Sequence, residues 1–191
     1  LPSKIFPVSI LQRSIKITNE PPKGLVNNLM RTFLDINETE YNVSNDNINE
    51  TQKIAYQKMF FALAFFHAVI QERRKFGSIG WNIPYEWMAS DLEVSKKQLY
   101  LYIIEANNDT NGTSSSSIVP YDTLRELIGL INYSGRVTDD KDVTLVKCLL
   151  KQYFKPEILQ DDYQLVPNND IYKTPKSNST LQQVREYIAL L

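Results

Sequence analysis

Few residues in this 191-residue chain are of types that could do chemistry. It has one histidine, His67, and one cysteine, Cys148, which could act as a base and nucleophile if the fold joined them. Both sit inside apolar helical patterns, where core packing is the preferred reading. One histidine cannot build a histidine metal site and one cysteine makes no internal disulfide, so transition-metal sites are not expected. The acidic run Thr138-Asp139-Asp140-Lys141-Asp142 offers hard oxygen ligands. It lacks the glycine turn and distal glutamate of a calcium loop, and capping a helix start accounts for it better. Arg73, Arg74 and Lys75 could pair with a phosphate or with acidic groups of a neighbour; a solvated helix end is the plainer reading. The aromatics of Gly80-Trp81-Asn82-Ile83-Pro84-Tyr85-Glu86-Trp87 could form a ligand platform, and stapling a linker to the body of the fold is preferred. The chain carries no GxxxxGK[ST] phosphate loop, G-x-S-x-G elbow or H-E-x-x-H zinc pair.

The elements that must position these residues read as mainly helical. Residues 4–18 hold β-branched stretches, notably Ile15-Lys16-Ile17-Thr18, ending at Asn19 and Pro21-Pro22, which predicts a short strand. Leu25, Leu29, Met30 and Phe33 share one helical face over 24–35. Residues 36–50 are polar and Asn-rich and read as a mobile surface loop. Thr51 to Phe76 has no Gly or Pro and its middle is apolar all round, so it is the expected central helix, with Gly77 as an αL cap. A packed linker over 77–87 anchored by Trp81, Tyr85 and Trp87 leads to a helix over about 95–106. Residues 107–117 are low-complexity and polar. Pro120 opens a helix with Tyr121, Leu124, Leu127, Ile128 and Ile131 inward. The next, opened by Asp139, Asp140 and Asp142, runs to about Phe154 with Val143, Val146, Leu149, Leu150 and Tyr153 inward. Residues 155–178 are irregular or a short hairpin, and Ser179 caps a last helix with Leu181, Val184, Ile188 and Leu191 inward. The expected fold is a bundle of five or six helices with a short extended segment at the front.

Composition excludes several functions. Net charge is -1 with Lys and Arg spread along the chain, which gives no nucleic-acid footprint. The apolar run Met59 to Ile70 is shorter than a membrane span needs, and no signal-like stretch opens the chain. Starting at Leu1 and stopping at Leu191, it reads as a segment of something larger. Asn-x-Ser/Thr triplets at Asn37, Asn42, Asn49, Asn108, Asn111, Asn132 and Asn178 reflect Asn- and Ser-rich composition rather than glycosylation.

Four blocks add a resemblance. Phe65 to Gly77, with Gly80 to Glu86, resembles a motif of the helical lid of the sixth AAA+ module of dynein heavy chains. Phe6 to Ser9 and Thr18-Asn19-Glu20-Pro21-Pro22-Lys23-Gly24-Leu25 look like the end of that module's large subdomain and its hinge. Gly135-Arg136-Val137-Thr138-Asp139-Asp140 and Pro156-Glu157-Ile158-Leu159 match two further blocks, in family order. GWNIPYE and GRVTDD look more axonemal than cytoplasmic. The family has Pro, Phe and Gly where Ser78, Trp87 and Ser134 stand here.

The resemblance implies residues 1–23 as large-subdomain tail and hinge, and 24–191 as lid, with insertions at about 36–50 and 107–117. The motif residues it singles out as structural are Glu20, Pro21, Pro22, His67, Gln71, Glu72, Arg73, Arg74, Gly77, Gly80, Trp81, Tyr85, Gly135, Arg136 and Asp139. It implies a non-catalytic part of an ATP-driven, minus-end-directed microtubule motor of the axoneme, packed against neighbouring AAA+ modules and a C-terminal domain. No cofactor is expected in this segment, the parent's ATP and Mg being elsewhere, and neither nucleic acid nor membrane is an expected partner. The alternatives are an autonomous helical module that binds a partner through an apolar face, and a lid that still closes on a nucleotide through a sensor arginine.

Overall fold

The computed structural model describes residues 8–15, 22–43, 48–105 and 119–191. In chain order the helices are α1 (Val8–Arg13), α2 (Leu25–Leu34), α3 (Glu38–Asn42), α4 (Glu50–Arg73), α5 (Ala89–Tyr100), α6 (Tyr121–Leu124), α7 (Asp140–Tyr153) and α8 (Leu181–Leu190). Turns of 3₁₀ helix span Arg74–Ile79, Ser134–Arg136 and Pro156–Leu159. Stretches of π-helix, Leu101–Glu105 and Arg125–Tyr133, extend α5 and α6.

The core is built around α4. Every residue from Met59 to Phe66 is at most 2% exposed. A helix apolar on all sides needs partners on all sides, and α2, α5, α7 and the turn Pro156–Leu159 pack around it. Phe33 of α2 meets Phe60 and Phe61 at 5.4 and 5.6 Å between ring centroids, and Phe66 meets Tyr133 edge-on at 5.1 Å. Each fully buried Phe of this kind contributes roughly 1.5–3 kcal/mol. The stretch Glu50–Ile79 is also long and apolar enough to cross a membrane by length and composition, more so than the run Met59 to Ile70 suggests, yet 83% of its most apolar window is buried within this fold.

Helix α8 lies on α2, with Leu181, Val184 and Ile188 buried as expected. Its Arg185 donates to the carbonyls of Phe33 and Ile36, both at 2.9 Å, satisfying acceptors that the end of α2 leaves open. Residues 160–178 form a small hairpin closed by the antiparallel bridge Gln164–Lys173.

Several expectations are corrected. Within 4–18, residues 8–13 are helical, while residues 4–7 and Lys16 to Thr18, which carry most of the expected strand, lie outside the described residues. The 36–50 segment is no featureless loop: it holds α3, and Ile36, Tyr41 and Val43 are buried against the core. Gly77 has a positive φ of 55°, but its ψ of -136° is not αL, and α4 runs on as a 3₁₀ turn. α5 starts at Ala89, six residues early, because Asp91 caps it by accepting from Met88 N at 2.8 Å. The 107–117 stretch lies outside the described residues. Ile131 is 60% exposed, and Tyr133 is buried instead. The wider π turn shifts the inward register after Ile128 by five residues rather than three or four. Ser134 completes that turn by donating from Oγ to Gly129 O at 2.6 Å. α8 is capped by Thr180, which exchanges bonds with Gln183, while Ser179 donates to Lys176 O. Cys148 is exposed on α7 and does not pack in the core.

Candidate functional site

The polar groups of the motif blocks converge on one side of α4 and bind one another. The helix ends in Gln71, Glu72 and Arg73, and each reaches a different segment. Glu72 Oε1 accepts from Gly24 N at 2.9 Å and from Asn28 Nδ2 at 2.6 Å, tying the start of α2 to the end of α4. Its Oε2 pairs with Lys75. Gln71 Nε2 donates to Trp87 O at 3.0 Å and lies 2.9 Å from His67 Nε2. Arg73 Nη2 donates to Gly80 O at 3.2 Å, and its guanidinium sits 5.5 Å from the Trp81 ring centroid.

His67 is buried, and neither ring nitrogen is free. With Gln71 donating to Nε2, the proton lies on Nδ1, 3.0 Å from the Tyr133 hydroxyl. Burial lowers its pKa from 6.5 to about 4, so the ring is neutral at pH 7. Burial also pushes the Tyr133 hydroxyl well above its ordinary value. A general base needs an accessible lone pair and a pKa near the working pH; His67 has neither. Cys148, exposed on another helix, does not pair with it.

The linker 80–87 is stapled as its aromatics suggest. Trp81, Tyr85 and Trp87 are all buried and in mutual ring contact, Trp81 to Trp87 at 4.7 Å. Trp81 Nε1 donates to Ile70 O at 3.1 Å and Trp87 Nε1 to Tyr133 O at 3.1 Å. Gly80 is required here, since a Cβ would lie 1.8 Å from Arg73 O.

The linker then locks to the acidic block. Asp142 accepts from Asn82 N at 3.0 Å and Ile83 N at 3.3 Å. Asp139 accepts from Asn82 Nδ2 at 3.1 Å while capping α7 through the N–H groups of Lys141 and Asp142. The Asn82 bond, then the backbone bond from Asp142, holds the Asp139 carboxyl below its ordinary value. Asp139 N in turn donates to Tyr85 Oη at 3.1 Å. Arg136 Nη2 pairs with Asp91 at 2.9 Å, joining this block to the start of α5, and Gly135 is exposed in the turn before it.

Of the singled-out residues, Glu20 and Pro21 lie outside the described set and Pro22 is half-buried beside the Glu72 end of α4. The remainder, Gly135 and the exposed Gly77 apart, belong to this latch. Arg74 pairs with Glu86 at 2.9 Å with both side chains exposed, so the basic helix end is solvated as expected and paired within the chain as well. A cleft of about 460 Å³ lies between α2, α4 and α5, with His67, Gln71, Arg74 and Glu86 on its wall already mated to each other or to the backbone. Among the described residues, no three His, Cys, Asp or Glu side chains gather as metal ligands would.

Four partners were not legible as such: Asp91, Asp142, Tyr133 and Lys58. Lys58 is 2% exposed, and its Nζ donates to Leu159 O at 2.7 Å and pairs with Asp161. Asp161 also accepts from Ser177 N and Oγ at 2.8 and 2.7 Å. Lys58, then Ser177, lowers its pKa to about 2. A lysine directly ahead of the apolar run Met59 to Ile70, on a helix expected to be enclosed all round, is the signal that could have found this pin.

Residues 56–191 match the family described as the dynein heavy chain AAA lid domain. Over its whole length the chain is 43% identical to dynein axonemal heavy chain 3 of Mus musculus, and over 91% of it 46% identical to that of Homo sapiens. Dynein axonemal heavy chain 6 of Homo sapiens is 40% identical over 98% of the chain. The chain spans 4% of the length of each of these relatives.

Proposed function

Because this chain belongs to the dynein heavy chain AAA lid family, we propose that it is a non-catalytic, mechanical part of an axonemal dynein heavy chain. In this reading residues 24–191 are the lid of the sixth AAA+ module, and residues 1–23 are the tail of its large subdomain and the hinge. The parent is an ATP-driven, minus-end-directed microtubule motor of the axonemal cytoskeleton, with its Mg-ATP and hydrolytic site outside this chain. The lid packs against neighbouring ring modules and the C-terminal domain.

The observation that carries this reading is the use of the motif arginines. Arg73 is spent on backbone carbonyls and Trp81, Arg74 on Glu86 and Arg136 on Asp91. A lid that closes on nucleotide needs an arginine free to reach phosphate, and these three already have partners within the chain. Calorimetric titration of the chain with Mg-ATP and Mg-ADP tests it: no saturable heat is expected, and saturation in the micromolar range overturns the scaffold reading. The sixth position is checked on the parent's flanking sequence, which must carry five AAA+ modules ahead of this one.

A further inference from the structure

The cleft between α2, α4 and α5 holds two side-chain oxygens that no donor in the described fold reaches. Asn28 Nδ2 donates to Gly24 O at 3.1 Å and to Glu72 Oε1 at 2.6 Å. Gln71 Nε2 donates to Trp87 O at 3.0 Å. These bonds fix both amides, because turning either one would set its oxygen against an acceptor. Asn28 Oδ1 and Gln71 Oε1 are therefore the free ends, and neither accepts a hydrogen bond from any described residue.

Both residues border open space. They line the cleft of about 460 Å³, and they also line a second cavity of about 420 Å³ that shares Arg74 and Trp87 with the first. Asn28 is only 7% exposed, yet Oδ1 is not sealed off. The buried side-chain atoms without a partner among the described residues are Arg73 Nε and Tyr121 Oη. The little exposure left to Asn28 is onto the cavities it lines.

The rest of the wall sets what these oxygens can meet. Ile36, Phe60, Leu92 and Trp87 are buried and give it apolar and aromatic surface. Its charges cancel. Arg74 pairs with Glu86, and Glu93 with Lys96. Arg31 and Asp35, four positions apart at the end of α2, have no side-chain partner and are of opposite sign. A polyphosphate finds one unpaired cation here, with an unpaired carboxylate on the same wall. An apolar cavity of this size with a few converging polar groups is how small-molecule sites are built.

We infer that this cleft binds a neutral, flat aromatic molecule carrying a primary carboxamide, whose N–H groups donate to Asn28 Oδ1 and Gln71 Oε1. The ring lies on the Phe60 and Trp87 surface, and the carboxamide oxygen is left for the Arg31 guanidinium. The site owes nothing to ATP chemistry and does not rest on the scaffold reading.

Benzamide tests this on the chain, with benzoate as a control of the same outline that has no N–H to give. In ¹⁵N NMR spectra, benzamide is expected to shift the side-chain amide signals of Asn28 and Gln71 saturably. A Kd on the order of 1 mM suits so small a ligand. Nuclear Overhauser contacts from its ring to the Ile36 and Leu92 methyls are expected as well. Benzoate is expected to bind at least about tenfold more weakly, because both oxygens stay unpaired and repel its carboxylate. No saturable shift, shifts without contacts to Ile36 or Leu92, or benzoate binding as tightly as benzamide each overturn the inference. Ala89→Phe, on the cleft wall, fills the space and is expected to abolish the shifts. Shifts that persist in the folded variant overturn the site; should that variant not fold, the methyl contacts in the unsubstituted chain decide the matter.

Discussion

Glu72 does for α2 what α2 cannot do for itself. The helix begins at Gly24, which has no capping side chain, and its first turn holds no acidic residue. The carboxylate that accepts from Gly24 N and Asn28 Nδ2 arrives from 48 positions further along the chain. It places negative charge at the positive end of the α2 dipole. Glu72→Ala is expected to cost about 1–3 kcal/mol, as for loss of hydrogen bonds to a charged acceptor. Amide hydrogen exchange should speed up at Gly24 to Asn28 first; uniform loss of protection over the chain would count against a local capping role.

Asp142 and Arg136 lie in one block and should differ in weight. Asp142 is buried and satisfies two backbone N–H groups, so Asp142→Ala should cost about 2–3 kcal/mol. Arg136 is 42% exposed at its side chain, and Arg136→Ala should cost below about 1 kcal/mol through its bridge to Asp91. Chemical denaturation of both variants orders them; an Arg136→Ala loss equal to that of Asp142→Ala would contradict this division.

Lys58→Met should keep the core filled while cutting the hairpin loose. Methionine fits the apolar surroundings, but Leu159 O and Asp161 lose their donor. Limited proteolysis within 160–178 is the expected consequence, with helices α4 and α7 intact. The Asp161 carboxyl should titrate higher than its present value of about 2, measurable by NMR.

His67 sets a pH window. Its folded pKa, about 4, lies below its ordinary 6.5, so the unfolded chain takes up the proton first. Its contribution is complete above pH 6.5, declines as pH falls from 6.5 to 4, and is flat below that. The total is on the order of 3 kcal/mol. Asp161 acts in a lower window, with its contribution present above the ordinary 3.8 and lost as pH falls toward 2. Melting temperatures of His67→Gln across pH 4 to 6.5 should show the slope removed; an unchanged slope would assign it to other groups.

The two glycines of the turn should respond differently to alanine. At Gly80 the new Cβ would lie 1.8 Å from Arg73 O, which the backbone can relieve only by breaking the turn, so Gly80→Ala should cost several kcal/mol, roughly 3 or more. At Gly77 the surroundings are open and only the positive φ resists, for about 1–2 kcal/mol. Thermal melts of the two variants compare them directly.

What the sequence made legible follows from period and composition. The all-round apolar α4, the aromatic staple and the Asp139 cap each announce themselves within a few residues. The misreadings come from elsewhere. Tyr133 entered the core, and Ile131 left it, because a π-helix changes the residue spacing, which apolar periodicity alone does not reveal. Tyr41 and Val43 were hidden in a polar stretch whose few apolar residues do all the burying. Pairings such as Glu72 with Gly24, or Asp142 with Asn82, join segments 48 and 60 positions apart. Such distances carry no local signal, although the residues themselves stood in or beside the singled-out blocks.

One feature of α4 bears on how load would pass through the domain. Lys58, near its first third, grips the C-terminal hairpin, and Glu72, at its end, grips the start of α2. They stand fourteen positions apart on uninterrupted helix, about 21 Å at 1.5 Å per residue. With no glycine or proline between the two grips, α4 is a continuous strut that joins the start of α2 to the hairpin. The two margins of the domain are thereby anchored on a single helix.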